Sequence, residues 1–165
     1  LDIGGASGER HAKLKAVAKE ILGIDRDATA SESYSEMDLD DLDAPSILPF
    51  SDRGIELVVC GETLEHLSNP GWLLQRIART FPQAEFIITV PNAFNSGSRK
   101  WTAQGTENVN RDHVAWYSYR TLRTLVGRYG FAVIQWAWYN GEPLTAEGLI
   151  FVCRASNGRP RAESG

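Results

Sequence analysis

The sequence predicts an α/β layered fold around a mostly parallel sheet, and two observations carry that expectation. Short continuous apolar runs, such as Ile55–Cys60 and Phe86–Val90, suit strands buried on both faces, and they alternate with segments of helical period. Several runs also end in small or acidic residues, as in Asp2-Ile3-Gly4-Gly5, Gly23-Ile24-Asp25 and the carboxylate-rich Met37-Asp38-Leu39-Asp40-Asp41. In open parallel sheets ligands sit at the carboxyl ends of the strands, so the residues just past each strand are where function is sought.

The expected elements run in this order. Leu1–Ile3 reads as the end of a first strand, and residues 8–15 as a short helix after a turn of small residues. Glu20–Asp25 gives a second strand, residues 26–36 a weakly structured polar stretch, and Met37–Asp41 the acidic end of a third. Pro45 and Pro49 mark a loop before the buried strand at Ile55–Cys60. Asn69-Pro70 opens a helix whose apolar residues fall at 73, 74, 77, 78 and 81. Phe86–Val90 is a further buried strand, stopped at Pro91-Asn92 and followed by a loop of about 25 residues, longer than a compact domain keeps without a function. Ser118 is the expected N-cap of a helix through Leu122, Leu125 and Val126 that closes at Gly130. Phe131–Trp138 and Leu149–Cys153 then form an antiparallel pair, and the expected division is a domain over 1–153 with a flexible tail over 154–165.

A length of 165 residues fits one domain, and 42% hydrophobic with 23% charged residues is an ordinary globular composition. The net charge of −4 argues against a general polyanion binder, so nucleic acid is not the expected partner. No apolar run approaches the ~18 residues that span a bilayer, and neither a membrane anchor nor a secretory leader is expected. Cys60 and Cys153 lie inside apolar runs without metal-ligand spacing and read as buried thiols of a reducing, cytoplasmic compartment. Charge is uneven: residues 25–69 hold twelve acids against Arg26 and Arg53, and residues 97–130 hold six basic residues against Glu107 and Asp112. Such asymmetry suits a small charged ligand on one side and another partner on the other, or equally a solvated acidic loop beside a helix with outward arginines.

At the first strand end, small residues at positions 4 to 8 allow close approach of a ligand to the backbone. The dinucleotide fingerprint G-x-G-x-x-G falls on Gly4, Ala6 and Glu9, and the glutamate puts a carboxylate where a pyrophosphate would sit. Asp25 at the second strand end can accept from both hydroxyls of a ribose, or serve as a turn residue. Asp38 can accept from an exocyclic amine while the Leu39 amide reaches a ring nitrogen, with Asp40 and Asp41 as competitors for the role.

Taken together, these residues resemble the class I S-adenosylmethionine-dependent methyltransferases, in their broad small-molecule group. The family turn D-x-G-x-G-x-G matches Asp2, Gly4, Ala6 and Gly8, with alanine in place of the middle glycine. Its ribose acid matches Asp25 and its adenine acid Asp38. IELVVCGETLEHLSNPGWLL through ITVPN is similar to the family's fourth and fifth strands, and WYSYRTLRTLVGRYGF with the following strand pair to its last helix and hairpin. The resemblance implies a Rossmann-like sheet, mostly parallel with a C-terminal antiparallel hairpin, and S-adenosylmethionine as cofactor with S-adenosylhomocysteine as product. It implies cofactor contacts at Gly4, Ala6, Asp25, Arg26, Asp38, Leu39, Cys60 and Gly61. The chain departs from the family in lacking helices before the first strand, in FPQAE before the fifth, and in the short link between Asp25 and Asp38.

The chemistry is expected after the fourth strand. A helix starting there would put Glu62, Glu65 and His66 on one face, with His113 arriving from the long loop. His66 or His113 then serves as base, or shapes the pocket, for methylation of an oxygen on a small-molecule acceptor. The same four residues also resemble the E-x-x-E-H plus histidine set of metal-assisted small-RNA and quinone O-methyltransferases, although no residue is assigned to a metal. A helix start that only caps and packs is the third reading. Trp101, Trp116, Tyr117 and Tyr119 would stack on a planar acceptor or anchor the loop, and Trp136, Trp138 and Tyr139 would pack the sheet. A dinucleotide-dependent dehydrogenase and a non-catalytic methyltransferase-fold binding module are the rival functions.

Overall fold

Phe86, Ile88 and Val90 project from one strand into a core that they share with Leu149, Phe151 and Cys153 of its antiparallel neighbour. The computed structural model describes residues 1–5 and 9–156, with the side chains at 9, 10 and 12 left outside the description. Its seven strands are β1 (Asp2–Ile3), β2 (Gly23–Asp25), β3 (Tyr34–Glu36), β4 (Leu57–Gly61), β5 (Glu85–Pro91), β6 (Phe131–Tyr139) and β7 (Gly148–Ala155). They form one sheet in the order β3-β2-β1-β4-β5-β7-β6. Every pairing from β3 to β5 is parallel, and β7 runs antiparallel to both β5 and β6. This is the predicted Rossmann-like sheet with its C-terminal hairpin.

The helices arise from local signals. In α2 (Pro70–Thr80) proline occupies the first turn, where no amide donor is needed, and Asn69 caps the helix by accepting from the Trp72 amide. Leu73, Leu74 and Ile77 are buried on its inner face, each contributing about 1.5–3 kcal/mol of transfer free energy. Ser118 and Thr121 cap α4 (Tyr119–Arg128) reciprocally, as the sequence predicts for Ser118, and Leu122 and Val126 are buried beneath it. α1 spans Glu9–Lys15. No helix among the described residues is long and apolar enough to cross a membrane.

Four expectations need correction. β3 lies at Tyr34–Glu36, inside the stretch expected to be weakly structured, and Met37–Asp41 follows it as a loop. β2 is restricted to Gly23–Asp25, the residues that pair with β3. The long loop contains a helix, α3 (Ser96–Ala103), whose first turn is held by the Asn95 side chain accepting from the Ser98 amide at 2.9 Å. β7 continues to Ala155, where the Arg154 guanidinium pairs with Glu85 across the ladder. Residues 157–165, most of the expected tail, lie outside the described residues.

Ile88 is fully buried in the sheet centre, whereas Ile134 on the outermost strand is 45% exposed. Ile88→Ala is expected to lower unfolding free energy by about 2–5 kcal/mol in urea titrations and Ile134→Ala by under about 0.5 kcal/mol. Equal losses would place the core elsewhere.

Candidate active site

The parallel strands β1, β2 and β4 all end on one side of the sheet. Ile3 pairs with both Ile24 and Cys60, so Gly4, Asp25 and Gly61 leave the sheet at the same level. Gly4 has φ 73°, and a Cβ there would collide with the Thr63 side chain. Only glycine meets both conditions cheaply. Thr63 itself is buried and sends its hydroxyl to the Gly61 carbonyl at 3.0 Å. Sequence reasoning misses it, because a threonine two residues past a strand is an unremarkable turn residue.

The carboxylates near this edge divide their tasks. Asp25 accepts from the Asp27 amide through one oxygen at 2.9 Å, which orients the side chain at the end of β2. Arg26 is exposed beside Asp27. Asp38 is exposed and accepts from the Asp40 amide at 2.9 Å, while Leu39 is buried. Asp40 is committed elsewhere, accepting from the Ser68 and Asn69 amides ahead of α2. Asp41 accepts from the Asp43 amide. Asp38 and Asp41 are both exposed, and of the two Asp38 is the one adjacent to Leu39 in the chain. Cys60 is wholly buried in the core, so any contact of its own with a ligand runs through main-chain atoms, as does one from Gly61. Ala6 and Gly8 lie outside the described residues.

The expected helix face after β4 does not form. Glu62 keeps its amide on the Thr89 carbonyl and turns the chain with φ 51°, and only Leu64–His66 makes a single 3-10 turn. Glu62 is not part of the group formed by Glu65, His66 and His113, and its carboxylate accepts from the Tyr139 hydroxyl at 2.8 Å. Tyr139, expected to pack the sheet, reaches this site from the end of β6. Burial pushes its phenol well above the ordinary range, and the bond to Glu62 adds to the shift.

Glu65, His66 and His113 do come together. One ligand atom from each lies within 4.8 Å of the others. Glu65 is buried, and its carbonyl accepts from the Val114 and Ala115 amides, which draws His113 over the 3-10 turn. The His66 and His113 rings meet edge to face with centroids 4.7 Å apart. His66 Nδ1 lies 3.1 Å from the Asp112 carbonyl, which can only accept, so Nδ1 carries a proton. Nε2 lies 4.0 Å from Glu65 Oε1. Burial holds His113 below the usual histidine range, the neighbouring His66 adds to this, and Glu62 and Asp112 oppose it.

His113 also lines a recess of about 90 Å³ with Asn92, Asn95, Asn108, Asn110 and Trp116. Of the four aromatics expected around the long loop, Trp116 alone borders this recess. Tyr117 is buried and donates to the Leu64 carbonyl, Tyr119 packs on Trp136 and Phe151, and Trp101 is exposed on α3.

A glycine-requiring turn, an acid at the end of the second strand and a recess lined by His113 lie where the resemblance to methyltransferases puts their site. Residues 1–136 match a family described as a methyltransferase domain, and the chain belongs to that family. Among solved structures it is similar to an S-adenosylmethionine-dependent methyltransferase from Mesorhizobium loti, with 16% identity, 93% of this chain and 88% of that one covered, and a TM-score of 0.60. It is similar to a Haloferax volcanii methyltransferase solved with the Trm112 methyltransferase activator, with 18% identity, 95% and 81% covered, and a TM-score of 0.63. The small RNA methyltransferase HEN1 shares 14% identity over 96% of this chain and 23% of that one, with a TM-score of 0.69. No curated protein matches the sequence.

Gly54 provides a control for the turn at Gly4, because it has φ 61° with nothing near its missing Cβ. Gly54→Ala should show only the left-handed backbone penalty of about 1–2 kcal/mol in thermal unfolding. Gly4→Ala is expected to be worse, and Gly4→Ala with Thr63→Ala to recover the difference. An identical effect of the two single substitutions would disprove the collision.

Proposed function

We propose that this enzyme methylates an oxygen of a small-molecule acceptor held in the recess beside His113. The observation that carries this reading is the pairing of His113 with His66 at the rim of that recess. S-Adenosylmethionine supplies an electrophilic methyl group and leaves as S-adenosylhomocysteine. Asp25 accepts from the ribose hydroxyls, Asp38 and the Leu39 amide meet the adenine edge, and Gly4 and Gly61 let main chain approach the remainder. His113, neutral at physiological pH, takes the proton from the acceptor hydroxyl as the oxygen forms its bond to the methyl carbon. His66 and Asp112 hold the rim in place, and Trp116 offers a face for a planar acceptor. The negative net charge and the two buried free thiols support a small acceptor and a reducing, cytoplasmic setting.

A second reading is favoured by the donor set itself. Glu65, His66 and His113 offer one oxygen and two nitrogens, a combination that suits a divalent transition metal. The Asp112 carbonyl on His66 Nδ1 is the kind of outer partner that fixes a ligating histidine. An ion would draw the three closer than 4.8 Å, since each ligand bond is about 2.0–2.2 Å. Such an ion would acidify the acceptor hydroxyl directly, and the acceptor range would then extend to the RNA and quinone hydroxyls expected as alternatives.

Calorimetric titration with S-adenosylhomocysteine is expected to show micromolar binding, weakened at least about tenfold by Asp25→Ala. No binding to the intact chain would overturn the cofactor site. With a labelled methyl donor and a panel of hydroxylated acceptors, activity that survives chelation supports the histidine base, and activity restored only by added metal supports the second reading.

The direction of the His113 shift sets the pH dependence. A base with a lowered pKa stays unprotonated to lower pH, so kcat/KM should hold through pH 6.5, the ordinary histidine value, and fall only below it. His113→Gln should remove that acid limb together with most of the activity. An unchanged profile in the variant would remove His113 from the chemistry.

A further inference from the structure

Asp2 is wholly buried in β1, and a carboxylate out of water needs a donor. His11 of α1, 5% exposed, supplies it, with Nδ1 at 3.0 Å from Asp2 Oδ2. The other ring nitrogen lies 2.7 Å from the Tyr34 hydroxyl of β3. An ionised carboxylate only accepts, so Nδ1 carries the proton, and in the neutral ring Nε2 accepts from the Tyr34 O–H. Both imidazole nitrogens are then matched, and β1, α1 and β3 are tied through one ring.

The sheet register explains why one histidine can do this. Asp2 pairs with Gly23 and Gly23 with Tyr34, so the three residues form a row across β1, β2 and β3. Gly23 contributes no side chain to the middle of that row, and the His11 ring bonds to both outer members. Two residues further on lie Gly4, just past β1 with its amide on the Ile24 carbonyl, and Asp25, the last residue of β2.

We propose that His11 is a positioning residue for the cofactor site, holding α1 against β1 and β3 so that Gly4 and Asp25 keep the spacing the cofactor needs. The proposal rests on the reading that those two residues face the cofactor. It adds a function for His11 and Tyr34 that the turn motif does not contain. The bond to Asp2 is the essential half, because it is buried and charge-assisted, while the bond to Tyr34 secures the edge strand.

Isosteric substitutions separate the two halves. His11→Asn places an amide N–H near the position of Nδ1, and His11→Gln places its terminal group near Nε2. Both variants are titrated with S-adenosylhomocysteine well below their unfolding temperatures, beside the wild type, Asp25→Ala and Tyr34→Phe. His11→Asn is expected to bind within about threefold of wild type, His11→Gln about tenfold or more weakly, and Tyr34→Phe in between. Wild-type affinity in His11→Gln overturns the positioning role. So does an equal loss in the Asn and Gln variants that tracks their unfolding temperatures, since that would mark a purely structural contact. A wild-type chain that fails to bind, or binds regardless of Asp25→Ala, overturns the cofactor-site reading and the positioning role with it.

Discussion

The exit from β4 constrains the rest of this molecule. Gly61 ends the strand, yet the Glu62 amide remains bonded to Thr89, so the chain must reverse direction while still attached to the sheet. It does so by putting Glu62 into the left-handed region, which is uncommon for a residue with a side chain. Thr63 then turns inward, bonds to Gly61 and fills the space above Gly4. Leu64–His66 form a single turn whose carbonyls accept from Tyr117, Val114 and Ala115. One reversal thereby sets the floor of the turn at Gly4 on one side and the position of His113 on the other. It also orients Glu62 toward Tyr139, which ties the terminal hairpin to the same junction.

The acidic first half gains a physical meaning from this arrangement. Its carboxylates cap main-chain donors at the strand ends instead of forming a uniform solvated face. Asp40 satisfies two amides ahead of α2, and negative charge is favoured there by the helix dipole. Asp25, Asp38 and Asp41 each hold a tight turn through one oxygen. The acids that shape the edge and the acids that can meet a ligand are thus the same residue type in adjacent positions, and local charge alone does not separate them.

Legibility from sequence tracks the physics of each element. β4, β5 and α2 are readable because apolar period and an Asn-Pro start act within one segment, and α4 because Ser118 caps locally. β3 is not, since Tyr34-Ser35-Glu36 has little apolar content and owes its place to pairing with β2 and to the distant His11 ring. α3 escapes notice because Ser96-Gly97-Ser98 disfavours a helix, and the Asn95 cap that holds it is a signal weak by itself. The His66 and His113 pairing is readable as a possibility from the E-H after a strand. The exclusion of Glu62 is not, because it depends on one backbone torsion. Thr63 and Tyr139 carry no motif, and their contributions exist only once β1, β4 and β6 are brought together.

The two phenols complete the electrostatic argument. Burial pushes Tyr117 up to about 12, with Glu65 and Cys60 reinforcing it, and Tyr139 rises further for the same first reason. Both therefore remain O–H donors across the whole working range of an enzyme. Tyr139 donates to Glu62 and Tyr117 to the Leu64 carbonyl, so the glutamate-rich reversal is held by neutral donors that bring no countercharge. A lysine or arginine in either place would have paired with the carboxylates and competed with the histidines for them. The nearby rings of His66 and His113 are the groups at this junction whose ordinary titration range lies near physiological pH. Under the proposed function, proton transfer at this edge falls to the histidines, directly or through an ion that they share with Glu65.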